Sequence, residues 1–238
     1  MKKLVLPALL ALVISGSTLQ AQDHGKEKTR IEGSGNVITK DVAVKSFDEL
    51  KVSGAFSVLL SQGSSEGVKI EAEDNLQELF EVKNEGSKLL ISMKKDVNIN
   101  SKKKMKVYIS FKTLKTMELK TVGNVSSEQT LSFDKLELDN KSVGNVDLKL
   151  SAQHLDIDNK SVGNIKLQGK ADNVVIKNNS VGSIEAAGFL VQKMEIDNHG
   201  VGSAEVNAEK ELKVKDNMLG KVVNKGAATA RRMNNVRI

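Results

Sequence analysis

Asp139-Asn140-Lys141-Ser142-Val143-Gly144-Asn145 returns as Asp158-Asn159-Lys160-Ser161-Val162-Gly163-Asn164 and again as Lys177-Asn178-Asn179-Ser180-Val181-Gly182-Ser183. Thr121-Val122-Gly123-Asn124 precedes these copies. Asp197-Asn198-His199-Gly200-Val201-Gly202-Ser203 follows them, and Asp216-Asn217-Met218-Leu219-Gly220-Lys221 is a degenerate last copy. The glycines Gly123, Gly144, Gly163, Gly182, Gly202 and Gly220 are 21, 19, 19, 20 and 18 residues apart. A fixed period near 20 marks a repeat architecture.

Each phrase sits between two short alternating runs, such as Leu136-Glu137-Leu138 before it and Val146-Asp147-Leu148-Lys149-Leu150 after it. Alternation of apolar and charged residues is the pattern of a half-buried strand. A strand this short cannot bury its apolar side alone, so neighbouring units must stack at about 4.8 Å and pool their apolar residues into columns. The expected fold is an all-β, right-handed parallel β-helix-like solenoid with coils of about 18–21 residues, clearest over residues 116–224.

Within this scheme the phrase is a corner. The six glycines supply a positive φ or a tight bend. Asn140, Asn159, Asn178, Asn198 and Asn217 are expected to stack as an amide ladder. The valines Val143, Val162, Val181 and Val201 are expected to turn inward and fill the corner. Asn145, Asn164, Ser183 and Ser203 form a second polar column. Asp139, Asp158, Asp197 and Asp216 form a carboxylate column broken by Lys177. Stacked carboxylates invite calcium, but each coil offers one carboxylate and a lysine interrupts them. The asparagine ladder is the favoured reading, with no metal and no cofactor assigned.

The rest of the chain is less regular. Lys2, Lys3 and the apolar run Leu4–Ile14 read as a secretory signal peptide over residues 1–21, too short to span a membrane. Residues 22–32 are polar and read as a flexible leader. A single domain is expected over 33–230, with 231–238 as a C-terminal tail or cap. Asp74-Asn75-Leu76-Gln77-Glu78-Leu79-Phe80 has apolar residues at helical spacing, which predicts one short helix near 75–80.

Composition narrows function. The chain has 238 residues and no cysteine, so disulfides, thiolate metal sites and a lipidated cysteine are excluded. Net charge is +6, or about +4 without Lys2 and Lys3, with lysines and acids interleaved, which argues against nucleic acid. Lys102-Lys103-Lys104 with Lys106 reads either as a site for an anionic partner or, the favoured reading, as a solvated loop. Aromatic residues are 3% of the chain. The carboxylates Asp147, Asp156, Glu185, Glu195 and Glu205 fall on outward strand positions, and His24, His154 and His199 are scattered. No paired acid and base emerges, so no catalytic residue is assigned. The variable turns Ser151–His154, Gly169–Asn173 and Ala187–Gln192 are the expected place for a ligand.

Three segments carry a resemblance: Gly33-Ser34-Gly35-Asn36-Val37, the run from Phe47-Asp48-Glu49-Leu50 to Ser53-Gly54-Ala55-Phe56-Ser57-Val58, and the Val-Gly-Asn corners. Together they resemble the exported bacterial proteins described as auto-transporter adhesins with a head GIN domain. That resemblance implies a β-helix-like fold and an envelope or surface location, and supplies no functional residues. Residues 231–238 are far too short for a membrane barrel. The expected function is therefore an exported, non-enzymatic adhesin or envelope-binding module with a glycan, envelope or host-surface ligand. A polysaccharide-active enzyme and a structural protein that self-associates into a homo-oligomer are the alternatives.

Overall fold

The computed structural model describes residues 29–216 and 219–233. The expected signal peptide, residues 22–28 of the expected leader, His24, Asn217 and residues 234–238 lie outside the described residues. What is described is a β-solenoid of about six turns. Long strands Val146–Asn159, Ile165–Asn178, Ile184–Asn198 and Ala204–Asp216 each form one bent coil. Each pairs in parallel with the next.

The core consists of columns running through these coils. Leu50, Met117, Leu138, Ile157, Ile176, Ile196 and Val214 are successive strand partners, and all are buried. Val58, Val125, Val146, Ile165, Ile184, Ala204 and Val222 form a second such column. In-register stacking of like residues lets one packing solution serve every turn.

The first coil is separated in sequence from the second. Glu49–Gly54 pairs with Thr116–Thr121, and Ser57–Gln62 pairs with Val125–Ser127. The intervening residues build the amino-terminal end. There Gly67–Glu73 runs antiparallel to both Val37–Val42 and Lys106–Phe111, while Phe80–Glu85 forms a hairpin with Lys88–Met93. These antiparallel strands cover the edge that a parallel stack would leave open. The expected helix is a 3-10 helix over Asp74–Leu79, with Leu76, Gln77 and Leu79 buried.

The leader prediction is corrected at its carboxyl end. Thr29–Glu32 forms a strand paired in parallel with Val97–Asn100, and Ile31 packs partly buried against the core. The Gly33-Ser34-Gly35-Asn36 segment then buckles onto two acids. Gly35 N–H and Ser101 Oγ donate to the buried Glu73 carboxylate at 2.7 and 2.6 Å, and Lys102 N–H donates to it at 3.0 Å. A Cβ on Gly33 would run into that same carboxylate, which is why glycine stands there. Asn36 Nδ2 donates to Asp74 at 2.9 Å. The triple-lysine loop is thus tied down by its backbone, with Lys102, Lys103 and Lys104 exposed.

At the other end, Val222–Asn224 and Ala230–Arg232 lie on the last full coil. Asn224 plugs the gap between them. Its Nδ2 reaches the carbonyls of Ala208, Gly226 and Ala228 at 2.8–3.2 Å, and its Oδ1 accepts from the N–H groups of Ala208 and Gly226. The described part of the expected cap, residues 231–233, continues this covering strand.

Candidate functional site

The inward residues of the corner phrase are joined by hydrogen bonds from coil to coil. Asn140 Nδ2 donates to Asn159 Oδ1 at 2.9 Å, Asn159 to Asn178 at 2.7 Å and Asn178 to Asn198 at 2.7 Å. All four asparagines are buried. The ladder ends where Asn198 donates to the Gly220 carbonyl at 2.5 Å. The strand partner of Asn198 is Asp216, and Asn217 lies outside the described residues. Gly123, Gly144, Gly163, Gly182 and Gly202 hold φ between 130° and 155°. A Cβ on Gly144, Gly163, Gly182 or Gly202 would press on the carbonyl of the glycine one coil before it. Gly220 differs: a Cβ there would meet Asn198 Nδ2 and the Gly200 carbonyl, each at 2.7 Å, so it closes the ladder and does not repeat the corner. The second polar column also forms, as Asn145, Asn164 and Ser183 each donate a backbone N–H to the amide oxygen one coil before.

Two expectations are corrected. Val143, Val162, Val181 and Val201 point outward, 49–56% exposed, and Ser142, Ser161 and Ser180 are buried in their place. The strand alternation simply continues through the phrase: Leu138, Asn140 and Ser142 face in, so Val143 faces out. Ser161 and Ser180 then donate to Asn159 and Asn178 at 2.8 and 2.7 Å. The carboxylate column is also shorter than expected, because Asp197 stands beside Lys215 and Asp216 falls in the asparagine column. Asp139 pairs with Lys141, Asp158 with Lys160 at 2.6 Å and Asp197 with His199 at 2.8 Å. Among the described residues no group of three or more His, Cys, Asp or Glu is arranged to hold a metal.

The outward carboxylates are also dispersed. Asp147 lies in register with Lys166 on one side of the coil, and Asp156 with Val175 on another. Glu185 and Glu205 follow the first column, and Glu195 follows the second. His154 stands beside Lys135 and Asn173. An open groove of about 600 Å³ crosses the sheet face at Glu118, Glu137, Asp139, Asp156 and Asp158. Its acids face lysines of the same sheet. Lys120 and Lys51 hold the Glu118 carboxyl down at about 2. A carboxylate so stabilised is a poor proton donor, whereas a glycosidase acid must be raised.

A larger groove, about 930 Å³, crosses the coils from Thr113 to Gln192. Its floor is explained by one column. Phe133, stacked on Phe111 at 6.1 Å, is followed in register by Ala152 and Ala171 and then by Val191. All four are buried, so the column belongs to the core beneath the groove. Leu190, 41% exposed, forms one wall. It holds the outward position between the buried Phe189 and Val191, in register with the exposed Lys170. Ser132, Ser151, Lys170 and Leu190 follow one another along the groove, one per coil.

The groove lining carries Lys115, Lys135 and Lys170 against Asp134, Glu137 and Asp172, three charges of each sign and so net zero. Lys115 pairs with Asp48 at 2.7 Å and Lys135 with Glu137 at 2.6 Å. Thr113, Thr116, Ser132, Ser151, Gln153 and Gln192 add neutral hydrogen-bonding groups. The segments Ser151–His154, Gly169–Asn173 and Ala187–Gln192, expected as turns, lie instead inside the continuous strands Val146–Asn159, Ile165–Asn178 and Ile184–Asn198, paired coil to coil like the rest. The side built from Leu114, Ser132 and Phe133 was not legible in the sequence.

A family model described as putative auto-transporter adhesin, head GIN domain, matches residues 46–228. The chain belongs to this head GIN domain family. Among solved structures, a putative adhesin from Bacteroides fragilis is 29% identical with a TM-score of 0.73, covering 85% of this chain and all of the other. A putative lipid binding protein from Parabacteroides distasonis, 16% identical, has a TM-score of 0.59 over 87% of this chain and all of its own, a likeness of fold. A putative adhesin from the same organism is 18% identical with a TM-score of 0.59, over 86% of this chain and 96% of its own. No curated protein matches the chain. The head GIN family and two of these three structural neighbours thus carry adhesin names.

Proposed function

We propose that this head GIN protein is an exported, non-enzymatic binding module that holds an elongated, uncharged, hydroxyl-rich ligand, a glycan chain, along the groove that crosses the coils from Thr113 to Gln192. The supporting observation is the balanced charge of that groove. Three cations and three carboxylates lie among six neutral polar side chains, a surface suited to hydroxyls and not to a polyanion. The groove runs across the strands, whose backbone groups are consumed by coil-to-coil pairing. An extended peptide therefore finds no strand edge to join there, and recognition falls to side chains repeated about every 4.8 Å. The adhesin descriptions of the family and the signal-like residues 1–21 support a role at the cell envelope or surface.

A glycan array probed with the purified chain tests this reading, followed by titration of a neutral hit against Ser151→Arg and Leu190→Lys. Both substitutions lie on exposed or half-exposed groove positions, and each is expected to weaken binding at least tenfold. Binding confined to polyanionic glycans, or unchanged by both substitutions, overturns it. Protease shaving of intact cells places the protein inside or outside the outer envelope.

A further inference from the structure

The outward corner valines form a straight apolar ridge. Val122, Val143, Val162, Val181 and Val201 are joined step by step by single parallel bridges and are 49–60% exposed. These five are half of the ten large apolar residues exposed among the described residues. They stand in one line about 19 Å long, four steps of about 4.8 Å. Nothing in the corner's own packing requires valine here, since the inward positions belong to serine and asparagine.

The shoulders of the ridge present little free charge. On one side Lys141 and Lys160 are bound to Asp139 and Asp158 of their own coils. On the other, the amide oxygens of Asn124, Asn145 and Asn164 already accept backbone N–H groups of the next coil. The surface is an apolar crest between electrically balanced polar flanks. An anionic lipid surface would find no net positive field to hold it, and a charged protein partner no complement.

The size of the crest suits one occupant. Five half-exposed valines offer roughly 400 Å² of apolar surface, the scale at which a patch marks an interaction site. A standard interface buries about 800 Å² on each partner, a little over half of it apolar. The ridge supplies that apolar share and its asparagine and lysine shoulders the polar rim. A second ridge of identical repeat meshes with it over its whole length, each valine settling between two of the other copy. We propose that the valine ridge is a self-association surface on which two copies of this chain pack ridge to ridge.

Sedimentation analysis of the purified chain is expected to show a monomer–dimer equilibrium, with Val162→Lys/Val181→Lys raising the dimer dissociation constant at least tenfold and leaving the circular dichroism unchanged. Val162→Thr keeps the β-branch and controls for any loss of fold, with a smaller shift in the same direction. Because the chain has no cysteine, single Val→Cys variants along the ridge report proximity cleanly. At least one is expected to oxidise to a covalent dimer faster than the control Gln153→Cys, an exposed position in the groove that includes no ridge residue. A chain that stays monomeric at its highest soluble concentration, a dimer indifferent to the double lysine variant, or cross-linking no faster than the control overturns the proposal.

Discussion

Asn159 and Asn178 face each other in the interior, 19 residues apart in sequence, with the amide of one donating to the oxygen of the other at 2.7 Å. Asn159 also accepts from Asn140 and from Ser161 Oγ, so its oxygen serves two donors and its nitrogen one acceptor. Replacing it by alanine leaves buried partners unmet on both sides. Asn159→Ala is expected to cost about 2–3 kcal/mol, read as a lowered denaturation midpoint. Asn159→Asp, which buries a charge in the same column, is expected to cost more. A loss under about 0.5 kcal/mol for either would mean that the ladder is ornamental to stability.

Gly163 has φ of 133°, and a Cβ on it would press on the Gly144 carbonyl. Gly163→Ala is therefore expected to lose about 2–3 kcal/mol from backbone strain and displacement of the neighbouring coil. Gly188 is the control. A Cβ there meets only Gln168 Cγ at 3.8 Å, an ordinary contact, so Gly188→Ala is expected to stay within about 1 kcal/mol of the native chain. Thermal melts of the two variants side by side make the comparison.

These two columns also show where the sequence was legible. Period and alternation were enough to stack the coils and to put Gly123, Gly144, Gly163, Gly182 and Gly202 at the bends and Asn140, Asn159, Asn178 and Asn198 in one column, because each repeat restates the same local constraint, whereas Gly220 departs from it. Val143 and its copies face outward against their hydrophobicity because strand parity decides the side. Counting on from Leu136 and Leu138 puts serine inside and valine outside. The amino-terminal end resisted for a different reason: its pairings, such as Val37 with Glu73 and Thr29 with Val97, join unlike segments and repeat nothing. The groove was half legible, since the irregular segments announce themselves, but they continue as strand and not as turns, and what lies beside them depends on neighbours distant in sequence.

Glu118 governs part of the acid response. Its folded carboxyl sits at about 2, below its ordinary 4.5, because Lys120 and Lys51 stabilise the charged form. A depressed carboxylate contributes stability that is fully present above about pH 4.5 and lost as pH falls toward 2. The Lys51 contact is 2.8 Å but the glutamate side chain is 27% exposed, so solvent screening reduces its share to about 1 kcal/mol. Glu118→Gln is expected to shrink the difference in melting temperature between pH 6 and pH 3. Glu73 and Asp74, lowered chiefly by Ser101 and Ser34, act with the same sign. An unchanged difference in the variant would assign the acid sensitivity to them instead.

Asn224 ties the carboxyl-terminal covering together through its side chain, beside the strands that pair there. Asn224→Ala is expected to cost about 2 kcal/mol and to raise amide hydrogen exchange within Ala204–Asp216, while the coils before Asn178 keep their protection. Removing residues 226–238 exposes the same edge and is expected to promote association through it, distinguishable by size from the native chain. Exchange that rises uniformly along the chain would show that the end is not separately stabilised.

The long excursion between the first coil and the second has a kinetic consequence. Later coils meet neighbours about 19 residues away, a short loop to close, whereas Leu50 must find Met117 and Val58 must find Val125. Loop closure grows costlier with separation, and non-local pairings are slow. The coils from Val122 onward can therefore zip together as nearest neighbours, while the amino-terminal coil, synthesised first, docks last. Synthesis and assembly run in opposite directions along this chain, and its amino-terminal third waits, exposed, for the template that it will finally seal.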